Sequence, residues 1–153
     1  MSTQGTDVSI DQLLEQARIE KILLLYATLL DQRDWAGLAD VFTDDAVADY
    51  RGIGTFEGRP AITGVVQDFL GKCGPTQHMI TNVRISVDGK QAVAKCYLQA
   101  THAGGRGHEG KTLTVWGEYS DRLQLRPEGW RIVHRELVVQ HVAGDIGVAL
   151  KAA

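Results

Sequence analysis

The sequence predicts an α+β fold in which a long N-terminal helix packs against a bent antiparallel sheet. Residues 10–31 follow a helical pattern, and the second half of this segment is apolar on every side, which is typical of a buried helix. Residues 78–140 alternate between apolar and polar side chains, as strands do. Because the helices precede the strands, we expect the helices on one face of the sheet, in a cone that encloses a pocket.

The helices have recognisable starting residues. Ser9 is a suitable N-cap for the first helix, and Arg59-Pro60 places proline in the first turn of the last, where helices tolerate it. Between them, the apolar spacing in WAGLADVF predicts a short helix after Asp34. The predicted helices are residues 10 to 30 or 31, 35–42 and 59–70, and a short strand is predicted at 46–50.

The strands are separated by turn sequences. Asp88-Gly89 predicts a hairpin, a glycine-rich loop follows residue 102, and Pro127-Glu128-Gly129 predicts another turn. The predicted strands are residues 78–87, 91–101, 111–125 and 130–140. With 153 residues and no repeat, we expect one domain at residues 9–141, a flexible arm at 1–8 and a C-terminal tail at 142–153.

The composition excludes several classes of protein. The chain is 44% hydrophobic and 23% charged, its net charge is -3, and it has no basic cluster that would indicate nucleic-acid binding. Its apolar runs are shorter than the ~20 residues of a membrane span, and its N-terminus lacks the pattern of a signal peptide. Cys73 and Cys96 have no metal-ligand spacing. We therefore expect a soluble cytoplasmic protein with no nucleic-acid or membrane partner.

Asp31 is the first candidate functional residue, because the apolar helix carries this carboxylate toward the interior. A buried carboxylate is costly unless it is paired or protonated. It could instead be a helix-terminal residue that is capped by the backbone or paired with Arg33. His78 begins a strand, but strict alternation places it opposite the apolar face that contains Met79 and Val83. Only a bulge or a strong bend would turn it inward.

Five further residues are candidates for the same pocket. Tyr26 and Tyr50 could present hydroxyl groups there or could be core aromatics. His102 shares the apolar face of its strand, and Arg135 alternates with Val133, Leu137 and Val139. Arg135 therefore faces the pocket or pairs with an acid such as Glu118 or Asp121. Trp116 is expected in the pocket wall or at an interface.

Together these residues resemble a known family. The pattern of Tyr26, Asp31, Asp34-Trp35, FTDDAVADY, FEGRPAI, QHMITN and WGEYSDRL…GWRIVHREL is similar to the SnoaL-like branch of the NTF2-like superfamily, over about residues 13–139. The resemblance implies an α+β barrel, or NTF2-like cone, with a deep apolar pocket. The closer group contains scytalone dehydratase, bile acid 7α-dehydratase and hexachlorocyclohexane dehydrochlorinase.

The resemblance implies roles for the candidates. Asp31 and His78 match the Asp–His dyad of that group, with Tyr26 and Arg135 as further catalytic residues. Tyr50, His102 and Trp116 are the expected substrate-binding residues. The His–Asp pair could abstract a proton next to a carbonyl, after which hydroxide or halide leaves; this elimination needs no metal or organic cofactor.

The expected function is a dehydratase-type lyase acting on a hydroxylated, largely apolar ring compound that is steroid-like or polyketide-like. An isomerase or cyclase using the same base is one alternative. The other is a non-catalytic small-molecule-binding or accessory subunit, like the β subunit of ring-hydroxylating dioxygenases, because the fold does not determine the function. Relatives in the group commonly form trimers, so that a homo-oligomer is expected, trimer ahead of dimer.

Overall fold

The computed structural model describes residues 7–149, which form two α-helices packed on one six-stranded, bent and open sheet. The helices are α1 (Ile10–Gln32) and α2 (Arg59–Leu70), with 3₁₀ turns at Ala36–Asp40 and Ile146–Ala149. The strands are β1 (Phe42–Tyr50), β2 (Gly54–Glu57), β3 (Cys73–Asp88), β4 (Gln91–Gly104), β5 (Thr112–Arg126) and β6 (Gly129–Gly144). The predicted α+β cone is confirmed. Residues 1–6 of the predicted arm and 150–153 of the predicted tail lie outside the described residues.

The first helix has the predicted start and nearly the predicted end. The Ser9 hydroxyl accepts a hydrogen bond from the Gln12 backbone N–H, and the Gln12 side chain accepts one from the Ser9 backbone, which completes a capping box. Arg33 ends the helix in a left-handed conformation with φ 60°. The apolar second half is not buried all round, because Leu24 is exposed while Leu23 and Tyr26 are buried against the sheet.

The sheet order is β2-β1-β6-β5-β4-β3. Four of its neighbouring pairs are antiparallel, whereas β1 runs parallel to β6, which departs from the expected wholly antiparallel sheet. The predicted hairpin at Asp88-Gly89 joins β3 to β4, and β2 is an edge strand that the sequence patterns did not predict. The segment 36–40 is a 3₁₀ turn rather than a full helix, and the strand after it begins at Phe42. The long strands curve around α1, so that residues from α1, β3 and β4 face the same concave interior.

No helix within residues 7–149 is long and apolar enough to cross a membrane.

Candidate active site

A cavity of about 360 Å³ lies between the two helices and the concave face of the sheet. Its walls are mainly aliphatic and aromatic side chains from α1, α2, β4, β5 and β6. Ile53 and Val142, both substantially exposed, lie at its rim together with Arg51, which pairs with Glu136 and Asp49. Besides Arg51, the polar side chains that reach the cavity are Tyr26, Tyr50, His78, His102 and Tyr119. It is therefore an apolar site with polar groups at a few positions, as small-molecule sites commonly are.

The structure brings Asp31 and His78 into direct contact. Asp31 lies in the last turn of α1 and His78 lies near the start of β3. The Nδ1 atom of His78 is 2.6 Å from Oδ1 of Asp31, and the backbone N–H of His78 donates to Oδ2 at 2.9 Å. Because a carboxylate accepts, Nδ1 carries the proton of the neutral ring. The Nε2 atom then keeps a free lone pair on a ring that lines the cavity.

The electrostatic setting keeps His78 neutral at neutral pH. Burial lowers the pKa of the His78 imidazole below its ordinary value, although the hydrogen bond and charge of Asp31 oppose this shift. A neutral imidazole whose Nδ1–H is held by a carboxylate can accept a proton at Nε2, and the carboxylate then stabilises the imidazolium. A pair with this geometry can serve as a general base.

A bulge in β3 turns His78 inward. The pairing of β3 with β4 shifts register between Thr81 and Arg84, and Asn82 in that interval has φ 51°. His78 and Ile80 face inward before the bulge, whereas Val83 and the odd-numbered positions after it face inward beyond it. Met79, expected on the apolar face, is 41% exposed. A one-residue insertion reverses the side-chain alternation, and this is why strict alternation failed for this strand.

His102 lies beside His78 on the neighbouring strand β4. Its ring is perpendicular to that of His78, with the centroids 5.6 Å apart, and it also contacts the edge of Phe69. The Nδ1 atom is 3.0 Å from the carbonyl oxygen of Leu113, to which it donates as a neutral ring. Burial lowers the pKa of His102. A second neutral imidazole therefore borders the same cavity, as its apolar-face position indicated.

Three tyrosines form a cluster on another part of the cavity wall. The hydroxyl oxygens of Tyr26 and Tyr50 are 3.5 Å apart, and Tyr119 packs edge-on against Tyr26 with ring centroids 5.9 Å apart. Burial raises the pKa of Tyr50 and of Tyr119 well above the ordinary value. These phenols therefore stay protonated and can donate hydrogen bonds. Tyr119 was missed from the sequence, although its alternation with Asp121 and Leu123 on β5 would have identified it.

Arg135 does not border the cavity, which corrects its predicted catalytic position. It is fully buried and donates from Nε and Nη2 to the two carboxylate oxygens of Asp121, both at 2.7 Å. Its guanidinium carbon lies 4.3 Å and 4.0 Å from the ring centroids of Tyr26 and Tyr119. The cation thus lies behind the tyrosines, and of the two readings open from the sequence, pairing with an acid is the correct one.

Trp116 is also away from the cavity, contrary to its predicted role in substrate binding. Leu113, Val115 and Tyr119 of β5 line the cavity, so that alternation places Trp116 on the outer face of the sheet. There its ring packs against His141 at a centroid distance of 5.2 Å. The predicted pocket residues that do reach the cavity are Tyr26, Tyr50, His78 and His102.

Within residues 7–149, no three His, Cys, Asp or Glu side chains are grouped so that they could hold a metal ion. Cys73 and Cys96 are both free thiols. Burial raises the pKa of Cys96 to about 11, so that this cysteine is a protonated core residue.

Comparison with known proteins gives consistent results. Residues 11–136 match the model of the SnoaL-like domain. An uncharacterised protein of Mycobacterium tuberculosis strain H37Rv is 33% identical over 131 residues, which cover 84% of this chain and 87% of that protein.

Several solved structures have a similar fold. A proposed scytalone dehydratase of Novosphingobium aromaticivorans has a TM-score of 0.77 at 23% identity, over 86% of this chain and 87% of that one. Hexachlorocyclohexane dehydrochlorinase type 3 of Novosphingobium barchaimii has a TM-score of 0.77 at 18% identity, over 94% and 99%. An NTF2-like superfamily protein of Salmonella enterica serovar Typhimurium has a TM-score of 0.75 at 21% identity, over 84% and 93%.

Proposed function

This chain belongs to the SnoaL-like domain family, and we propose that it is a cofactor-independent lyase of the dehydratase type. The observation that carries the proposal is the 2.6 Å contact between His78 and Asp31 at the wall of an apolar cavity. The similar folds of a proposed scytalone dehydratase and a dehydrochlorinase support it. The proposed catalytic residues are His78 as base and Asp31 as its partner.

The proposed reaction is a β-elimination. The Nε2 atom of His78 takes a proton from the carbon next to a carbonyl group, and the electron pair of that C–H bond forms the new C=C bond as the C–O bond to the β-hydroxyl breaks. The imidazolium then returns its proton to the leaving hydroxide, so that water leaves and His78 is neutral again. Tyr26 and Tyr50, which both line the cavity, are the proposed donors of hydrogen bonds to the carbonyl oxygen, where negative charge develops.

The cavity also supports a substrate class. Its lining holds aliphatic and aromatic side chains, and its single arginine, Arg51, is occupied by Glu136 and Asp49 at the rim. An anionic substrate would thus find no free cation among these lining residues, and its desolvation would be costly. We propose a neutral, hydroxylated, largely apolar ring compound, steroid-like or polyketide-like, with a carbonyl group near the β-hydroxyl. His102 and Tyr119 are the proposed binding residues beside it.

The test is an elimination assay on a panel of ring ketones that carry a β-hydroxyl, with loss of water followed by mass spectrometry. The matched control is the His78→Ala variant, and a parallel incubation in deuterium oxide with β,γ-unsaturated ketones lacking the β-hydroxyl reports proton exchange at the adjacent carbon and any shift of the double bond. Elimination that requires His78 supports the lyase. Exchange and a shifted double bond without elimination would establish the isomerase instead.

A non-catalytic role has its own outcome. Tight binding of the ring ketones with neither exchange nor elimination, or co-purification with a larger iron-dependent partner, would replace the lyase with a binding or accessory subunit.

The predicted homo-oligomer stays a prediction. The outer face of the sheet exposes Met79, Val93, Tyr97 and Val138, which favours association, and a monomer in light scattering would contradict it.

A further inference from the structure

Arg33 occupies a backbone position that its side chain does not favour. It is the residue at the end of α1 with φ 60°, a left-handed conformation that glycine adopts freely and other residues adopt at a cost. Its backbone N–H bonds to the carbonyl oxygens of Leu29 and Leu30, and glycine would make the same bonds. The helix end therefore does not explain why arginine stands here, and the reason must lie in its side chain.

The guanidinium group joins the two elements that carry the dyad. Its Nη1 atom donates to the carbonyl oxygen of Leu30 at 2.7 Å, one residue before Asp31 on α1. The same nitrogen donates to Oγ1 of Thr76 at 2.8 Å, and Nη2 donates to the carbonyl oxygen of Gly74 at 2.8 Å, both near the start of β3. The end of the helix and the beginning of the strand are thus held together by one side chain.

Thr76 carries this connection to the carboxylate. Its hydroxyl donates to Oδ1 of Asp31 at 2.9 Å, the same oxygen that receives Nδ1 of His78. Because Arg33 occupies the acceptor side of the hydroxyl, the single O–H of Thr76 is directed toward Asp31. Among the ion pairs of residues 7–149 there is no direct pair between Arg33 and Asp31, so that the coupling runs through Thr76.

We propose that Arg33 and Thr76 are positioning residues for the Asp31–His78 dyad, which fix the carboxylate so that it holds the Nδ1–H tautomer of His78. Four of the donors in this network point at only two groups, the Thr76 hydroxyl and the Asp31 carboxylate, and each distance is within hydrogen-bonding range. A carboxylate held in this way cannot rotate without breaking several bonds. The inference rests on the proposed role of His78 as base, but its test needs no substrate.

The test is proton NMR of the imidazole Nδ1–H of His78, which should give a low-field resonance when it is held by Asp31. In Thr76→Val, which removes only the hydroxyl, the resonance should broaden or disappear through exchange with water. Thr76→Ser keeps the hydroxyl and should restore it. Arg33→Gly relieves the backbone strain but removes the hydrogen bonds of the guanidinium group to Leu30, Gly74 and Thr76. The resonance should then disappear, while circular dichroism shows that the protein stays folded. Arg18→Gln, on the exposed surface of α1, is the matched control for loss of one cation and should leave the resonance unchanged.

An unchanged resonance in both Arg33→Gly and Thr76→Val would overturn the proposal, because Arg33 would then be only a helix-terminal residue. If a substrate has been found, the same two variants should lower turnover by about 10- to 100-fold, the loss seen when the hydrogen bonds that orient metal-bound histidines are removed. Failure of every elimination assay with the NMR result intact would reject the lyase and leave the positioning role standing.

Discussion

Two of the pairs between a basic residue and an aspartate, Asp121–Arg135 and Asp31–His78, differ in their burial and in their access to the cavity. Asp121 and Arg135 are both nearly inaccessible and form two parallel hydrogen bonds of 2.7 Å. Asp31 and His78 meet at 2.6 Å, but the carboxylate is partly exposed and the ring borders the cavity. A fully enclosed pair with a permanent cation can only support its surroundings. A pair that meets a cavity through a titratable ring can exchange a proton with a ligand.

The same substitution in both pairs should separate their roles most clearly, and the larger effect on stability is expected at Asp121. Asp121→Asn leaves the buried cation of Arg135 without its counter-charge, so that the free energy of unfolding should fall by about 3–5 kcal/mol. Urea denaturation measures this loss. The double variant Asp121→Leu/Arg135→Met removes both charges and should recover much of the stability. An unstable double variant would show that packing between the tyrosines, rather than charge, is the main term.

Asp31→Asn should have the opposite signature. The amide oxygen still accepts, but the amide NH2 then faces one of the donors around residue 31, so that the free energy of unfolding should fall by about 1–3 kcal/mol, less than at Asp121. Turnover, however, should fall by about 10²–10⁴-fold, because the amide neither fixes the tautomer of His78 nor stabilises its imidazolium. Steady-state kinetics on an identified ketone measures the loss. Full activity in Asp31→Asn would mean that His78 works without its partner or is not the base.

The pH profile separates the two pairs further, because only one of them contains an imidazole, whose ordinary pKa is about 6.5. Burial lowers the pKa of His78, and the neutral ring is the active form. Turnover should therefore be constant around pH 7 and should fall about tenfold per pH unit below the lowered pKa. A profile that is already falling between pH 8 and pH 7 would contradict a depressed His78 pKa.

Stability should follow the same direction. His78 and His102 both have lowered pKa values in the folded protein, whereas in the unfolded chain they titrate near 6.5. Below about pH 6.5 the unfolded chain thus binds protons that the folded protein does not, and stability is lost as the pH falls toward the lowered values. The variant His102→Gln should show a smaller loss of stability over this range.

The tyrosine cluster contacts the cation of one pair and borders the cavity that the other pair meets, and Tyr50→Phe tests which of the two it serves. Tyr50 reaches the cavity, and its hydroxyl lies 3.5 Å from that of Tyr26. If the Tyr50 hydroxyl stabilises charge on the substrate, its removal should reduce turnover about tenfold, because that is the contribution of one hydrogen bond to a charged group. The free energy of unfolding in urea should change little. Tyr97→Phe is the matched control, because Tyr97 is exposed and contacts Arg84. Equal turnover in the two variants would assign Tyr50 to the core.

The sequence predicted the features that depend on neighbouring residues in the chain better than those that depend on how one strand aligns with another. The first helix, its Ser9 cap and the position of Asp31 follow from neighbouring residues and were confirmed. The contact of Arg135 with Asp121 depends on the register of β5 against β6, which two separate strand patterns do not specify. The inward turn of His78 depends on the bulge at Thr81–Arg84, and no residue there except Asn82 favours a positive φ. Tyr119, in contrast, was not among the candidates and Trp116 was expected at the cavity, although the unbroken alternation of β5 places the first inward and the second outward.

The smallest effect is expected on the outer face of the sheet. Trp116→Phe changes a side chain that packs on His141, on the face opposite the cavity, and turnover should change less than twofold. Steady-state kinetics beside the Tyr50→Phe variant gives the contrast between the two faces. Since the residues on this face include the exposed Tyr97 and Val138, light scattering of Trp116→Phe also tests whether the face is an interface. A large loss of turnover together with a change of oligomeric state would mean that association shapes the cavity. A loss of turnover without such a change would mean that the substitution shifts Tyr119 through the backbone of β5. The two faces of the sheet would then not act independently.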